Sequence, residues 1–136
     1  MNIDLLGIRE QQRFVFEESA KAAILQIKAN LKAPVLDSQH ELDESQYSRD
    51  HLLLEAQGWA PPHSDVVGAY FRHFQGYFPE FKTDAKLAEL LGLSGNRRVR
   101  AFKDGSKTVP YNVWRAFLVV TGRVPQDIVP VMAFMA

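Results

Sequence analysis

The stretch Leu87–Phe102, LAELLGLSGNRRVRAF, decides the fold. It predicts two short helices crossing steeply through a tight turn, a corner that needs particular residues at fixed places. Ala88 is small where the second helix must cross the first, and Gly92 tolerates the positive φ of a tight turn. Leu87, Leu91 and Leu93 fall on the inner side of the corner. Val99 and Phe102, three apart, anchor the following helix from below. With those two facing inward, a helical wheel points Arg97 and Asp104 almost directly outward. Arg100 and Ala101 lie beside them, and Asn96, Arg98 and Lys103 flank.

Further helices are predicted on both sides. Ser64-Asp65 is suited to cap a helix running to about Phe78, with Val66, Val67, Tyr70, Phe71, Phe74 and Phe78 on its inner face. Pro79 stops it. Thr83 caps the first helix of the corner, Asp84 to Leu91, and the second runs from Asn96 to Lys103, closed by Asp104-Gly105. Pro110 falls in the first turn of a helix from Tyr111 to Thr121, where its missing N–H costs nothing, and Gly122 ends that helix. Trp114, Phe117 and Leu118 recur at helical spacing and read as core rather than as a ligand-stacking stripe. The aromatic concentration of Phe71, Phe74, Tyr77, Phe78 and Phe81 reads the same way. No alternating strand pattern is present, so the fold class is all-α.

Towards the N-terminus, residues 10–32 contain neither Gly nor Pro. Phe16, Ala20, Ala23, Ile27 and Leu31, with Ile24 alongside, form one apolar stripe. A helix this long must bury that stripe against the rest of the chain or a second copy; Pro34 ends it. Residues 37–50 are polar and acidic and predict a loop or frayed helix, followed by a short helix from Ser48, as N-cap, to Gln57, stopped by Gly58. Pro61-Pro62 predicts a stiff connection. Dividing there, residues 1–62 form an acidic helical region suited to interaction or dimerisation. Residues 63–136 hold the corner and an apolar C-terminal tail. The first region carries 6 Lys and Arg against 10 Asp and Glu, and the second carries 10 against 6. The zero net charge of the chain is thus a cancellation, and the basic excess gathers at Arg97, Arg98 and Arg100 with Lys103 and Lys107.

The Leu87–Phe102 corner resembles the helix-turn-helix of the Cro/CI-type, lambda-repressor-like regulators. The likeness extends through the loop KDGSKTVP and the helix YNVWRAFLVVTG, covers roughly Asp65 to Gly122, and is strongest to phage- and plasmid-borne members. It departs in one place. The first buried position of the recognition helix, six residues after the turn glycine, is here Arg98, and the apolar Val99 comes one later. A turn longer by one residue, through Leu93-Ser94-Gly95, accounts for this, because the Val99/Phe102 spacing is kept.

The resemblance implies a lambda-repressor-like domain of four to five helices behind a helical N-terminal extension. It further implies a sequence-specific, dimeric repressor of a mobile-element operon that binds double-stranded DNA at a palindromic operator. The helix at Asn96–Lys103 would enter the major groove. Arg97 and Arg100 suit guanine, Asn96 suits adenine, and Ala101 suits a thymine methyl. Thr83, Lys86, Arg98, Lys103, Ser106, Lys107, Thr108, Tyr111 and Asn112 would meet phosphates. Asp104 opposes phosphate unless it pairs internally with an arginine. The tail residues Ile128, Val131, Met132, Phe134 and Met135 form the expected homodimer surface, and residues 1–62 are open to a protein partner. The alternative is a protein-interaction module or adaptor of a mobile element that keeps the helix-turn-helix architecture without binding DNA.

Other chemistries are disfavoured. The chain has no cysteine, which excludes disulfides, thiol catalysis and cysteine-ligated metals within it. His40, His51, His63 and His73 lie ten to twelve residues apart, without metal-ligand spacing, so no metal or other cofactor is expected. Glu41, Asp43 and Glu44 form a carboxylate cluster in a stretch read as exposed, with no basic or nucleophilic partner, and no glycine-rich phosphate loop is present. The chain is therefore not read as an enzyme. The opening MNIDLLG lacks a basic-then-apolar run, and the longest apolar stretch, Val131–Ala136, is far below the roughly 20 residues of a membrane span. A soluble, cytoplasmic protein is the expectation.

Overall fold

The structure, a computed structural model, describes residues 7–135. Those residues form five α-helices and several 3-10 turns, with no strand among them: α1 (Ile8–Asn30), α2 (Ser64–Tyr77), α3 (Asp84–Leu90), α4 (Asn96–Asp104) and α5 (Tyr111–Val120). Among the described residues no helix is long and apolar enough to cross a membrane.

The chain divides into two units, residues 38–127 and residues 1–37 with 128–136. Helices α2 to α5 belong to the first. Its core is built from Val66, Val67, Tyr70, Phe71 and Phe74 of α2, Leu87 and Ala88 of α3, Val99 and Phe102 of α4, and Trp114, Phe117 and Leu118 of α5. Phe71 meets Phe117 edge-on at 4.9 Å, and Trp114 stacks on Tyr70 at 5.7 Å. Phe78 and Phe81 pack partly buried against this core, whereas Tyr77 stays exposed with its ring set edge-on to His73.

Two helix ends show why these elements stop where they do. After α3, Gly92 takes φ +70°, its N–H bonds the Glu89 carbonyl and that of Leu93 bonds the Ala88 carbonyl. After α5, Gly122 takes φ +68°, with the same pair of bonds from Gly122 to Val119 and from Arg123 to Leu118. Both are Schellman caps, which satisfy the last carbonyls of a helix through a left-handed residue that glycine adopts without strain. At the start of α2 the cap is not Ser64 or Asp65. His63 holds that place, its Nδ1 accepting from the Asp65 N–H at 3.0 Å, because Ser64 already has helical geometry.

The division expected at Pro61-Pro62 falls inside the 38–127 unit. Residues 38–62 fold back onto the helices: Leu42, Tyr47, Leu52 and Trp59 pack against the core, and His51 is only 3% exposed. The helix expected at Ser48–Gln57 is instead two 3-10 turns, Asp50–Leu52 and Glu55–Gln57, separated by extended Leu53 and Leu54. Arg49, not Ser48, is the N-cap of the first turn; the Ser48 hydroxyl stands one residue earlier and accepts from the Asp50 N–H, and Gly58 ends the second turn at φ +96°. The acidic cluster has partners after all. Glu41 receives the Arg72 guanidinium at 2.8 Å, and Glu44 accepts the Tyr70 hydroxyl. This folding back cancels the charge difference between the halves, since residues 38–127 hold eleven Lys and Arg and eleven Asp and Glu.

The other unit pairs α1 with the C-terminal tail. No residue of α1 is buried. The Phe134 ring stands edge-on to Phe16 at 4.9 Å, and the Arg13 guanidinium lies 4.8 Å over Phe134. The tail, assigned from sequence to the domain after the prolines, thus groups with α1. Of the residues expected at a dimer surface, Phe134 is engaged within the chain, while Ile128, Val131, Met132 and Met135 stay exposed.

Candidate nucleic-acid interface

Helix α4 is held by its inner face. Val99 and Phe102 are fully buried, and α4 packs on both α2 and α3. The turn from Leu91 to Gly95 leads straight into α4 at Asn96, which keeps the apolar pair facing inward despite the extra residue. A helix fixed on one side presents its opposite side at a defined angle.

The outer face is where Arg97, Arg98 and Arg100 are exposed. Among the described residues, no carboxylate forms an ion pair with Arg97 or Arg98, and Arg98 lies over the Phe102 ring at 5.5 Å. Asn96 and Ala101 are half-buried at its edges. Lys103 is paired within the fold. It is also half-buried, and its ammonium is 2.8 Å from Asp84 on α3. Asp84 accepts from Gln75 as well and stands 3.8 Å from Arg100. Burial works against its ionisation, yet the bonds from Lys103 and Gln75 and the Arg100 charge outweigh it and hold the carboxyl below its ordinary range. The carboxylate therefore stays charged and ties Lys103 between α2, α3 and α4.

The chain matches no family model, no curated protein and no solved structure.

The remaining residues expected near phosphate occupy three places. On α3, the Thr83 hydroxyl is the N-cap, accepting from Lys86, and the Lys86 ammonium lies 3.4 Å from Glu89. In the loop after α4, Lys107 and Thr108 are exposed, and the Ser106 N–H donates to Asp104 at 2.8 Å. Among the described residues Asp104 does not pair with an arginine; the Ser106 hydroxyl, together with that N–H bond, holds its carboxyl below the usual range. At the start of α5, Asn112 is exposed, and the Tyr111 ring is half-buried against Trp59 at 5.2 Å. Among the described residues no group of three or more acidic or histidine side chains could hold a metal.

Sequence reading missed one polar cluster. Buried His51 accepts from Trp114 Nε1 at 3.1 Å through Nδ1, and its carbonyl accepts from Trp59 Nε1. Beside it, Tyr70 donates to Glu44 and lies under the Arg123 guanidinium at 3.9 Å. Burial, with the bond to Glu44, raises the Tyr70 hydroxyl, and burial lowers His51 to about 4. These groups bind the folded-back segment to α2 and α5. Every one is engaged within the fold, so the cluster is a fastening, not an open site.

Proposed function

We propose that the protein is a sequence-specific DNA-binding regulator of the Cro/CI type. In this reading α3 and α4 form its helix-turn-helix, and α4 enters the major groove. The observation that carries it is the pairing of a fully buried inner face, Val99 and Phe102, with an outer face of exposed arginines. Arg97 and Arg100 would bind guanine O6 and N7, Asn96 adenine, and Ala101 a thymine methyl. Arg98, Lys107, Thr108 and the free N–H groups at the start of α5 would take phosphates, as a helix N-terminus favours anions. Lys103 serves the fold through Asp84 instead. A neutral 38–127 unit gives modest non-specific attraction, so affinity must come from aimed contacts, doubled on a palindromic site by a second copy that acts as repressor.

A random-duplex library selected over several rounds at low salt tests this. Enrichment of a two-fold motif is expected, with sequence preference lost in Arg97→Ala and Arg100→Ala; no enrichment refutes the reading.

The exposed apolar side chains of α1 favour a second reading, a protein-interaction module that keeps this architecture without reading DNA. The same selection separates the two.

A further inference from the structure

Helix α1 bears a row of residues that all stay exposed. Glu10, Phe14, Glu17, Lys21, Ile24 and Lys28 follow one another at alternating steps of four and three, which sets them in one line along the helix. The tail leaves it exposed: Phe134 meets Phe16 and Arg13, roughly a third and a sixth of a turn round the helix from this line. Phe14 and Ile24 remain 58% and 54% exposed. Read along the helix, the row runs acid, apolar, acid, then base, apolar, base.

We propose that α1 pairs antiparallel with α1 of a second copy of this chain along that row. A single register satisfies every member. Setting Glu10 opposite Lys28 of the second copy also sets Phe14 opposite its Ile24 and Glu17 opposite its Lys21, and the two-fold axis repeats each pair. The row is self-complementary only in this direction. A parallel pair would set Glu against Glu and Lys against Lys, which is repulsive. The existing ion pairs of the helix, Arg13–Glu17 at 3.5 Å and Lys21–Glu18 at 3.2 Å, are exposed and weak, so they do not withhold Glu17 and Lys21. This pairing supplies the two-fold partner that the proposed DNA reading calls for, but it is a property of α1 alone and is measured without DNA.

Three full-length variants test it by sedimentation equilibrium at low salt. The wild type is expected at twice its 15.4 kDa chain mass. Glu10→Lys with Glu17→Lys, and separately Lys21→Glu with Lys28→Glu, should each weaken the dimer at least about tenfold, and an equimolar mixture of the two should recover it. Glu17→Lys with Lys21→Glu in one chain, which keeps the complementarity, should dimerise like the wild type and guards against simple loss of the helix. A wild type that stays monomeric at hundreds of micromolar, charge variants that dimerise like the wild type, or a mixture that does not recover would each overturn the proposal. Whether the chain also binds DNA leaves these outcomes unchanged.

Discussion

Trp114 Nε1 donates to Nδ1 of His51, sixty-three residues earlier in the chain, at 3.1 Å, and both side chains are buried. Because Nδ1 accepts, His51 is neutral with its proton on Nε2. The bond fastens the 3-10 turn Asp50–Leu52 onto α5. Removing it leaves the indole N–H buried and unpaired beside a cavity. His51→Ala should therefore cost about 2–4 kcal/mol, measured as a lower urea midpoint at unchanged slope. A loss below about 0.5 kcal/mol would mean that water replaces the ring freely.

The same histidine makes stability depend on pH. Burial lowers its pKa from 6.5 to about 4 in the folded chain. Between those values the unfolded chain holds a proton that the native chain does not. Stability is thus fully present above about pH 7 and falls as the pH drops through that window, by on the order of 3 kcal/mol in total. Glu44 and Asp84, both held below their ordinary range, extend the loss to lower pH. Chemical denaturation from pH 7.5 to 4 should show this slope, and His51→Asn should flatten it between 6.5 and 4.5. A flat wild-type profile above pH 5 would contradict a buried neutral imidazole.

Much of the helical layout was legible because local chemistry marks it. Thr83 caps α3, and Gly92 and Gly122 close α3 and α5, as expected from single residues; Pro110, expected in the first turn of α5, is its N-cap. The inner pair Val99 and Phe102 was legible from spacing alone. Residues 38–62 were not. They form 3-10 turns and extended chain, which carry no hydrophobic period, and their anchors reach partners far along the sequence: Glu41 to Arg72, Tyr47 to Asp65, His51 to Trp114. For the same reason the charge contrast across Pro61-Pro62 suggested a boundary that packing does not respect. Among the site residues, the exposure of Arg97 and Arg100 followed from the wheel. The withdrawal of Lys103 depends on Asp84, nineteen residues away on another helix, and no local pattern announces it.

That unit boundary leads to a fragment test. Residues 38–127 contain the whole buried core and its fastening cluster, so this fragment should unfold cooperatively with a midpoint close to that of the full chain. Residues 63–136 lack His51, Tyr47 and Trp59, leave Trp114 unpaired, and should be severely destabilised or unfolded. Thermal melts followed by circular dichroism distinguish the two. Equal stability of both fragments would place the boundary back at the prolines.

Asp84 links the fold to the proposed interface. Asp84→Asn removes the partner of a half-buried Lys103 and should cost about 1 kcal/mol. It should also raise affinity for non-specific duplex by several-fold at low salt, since Lys103 and Arg100 lose their carboxylate. Urea titration and fluorescence anisotropy with a labelled duplex read the two effects. Weaker duplex binding in a variant that remains folded would place the DNA surface away from α4.

The central claim, that the outer face of α4 reads DNA, is tested most directly by titrating the isotope-labelled chain with a duplex from the selection and following its amide resonances. The account predicts the largest changes at Asn96, Arg97, Arg100 and Ala101, with smaller ones at Lys107, Thr108 and Asn112, all diminishing as salt is raised. Changes confined to α1 and the tail, or none at all, would contradict it.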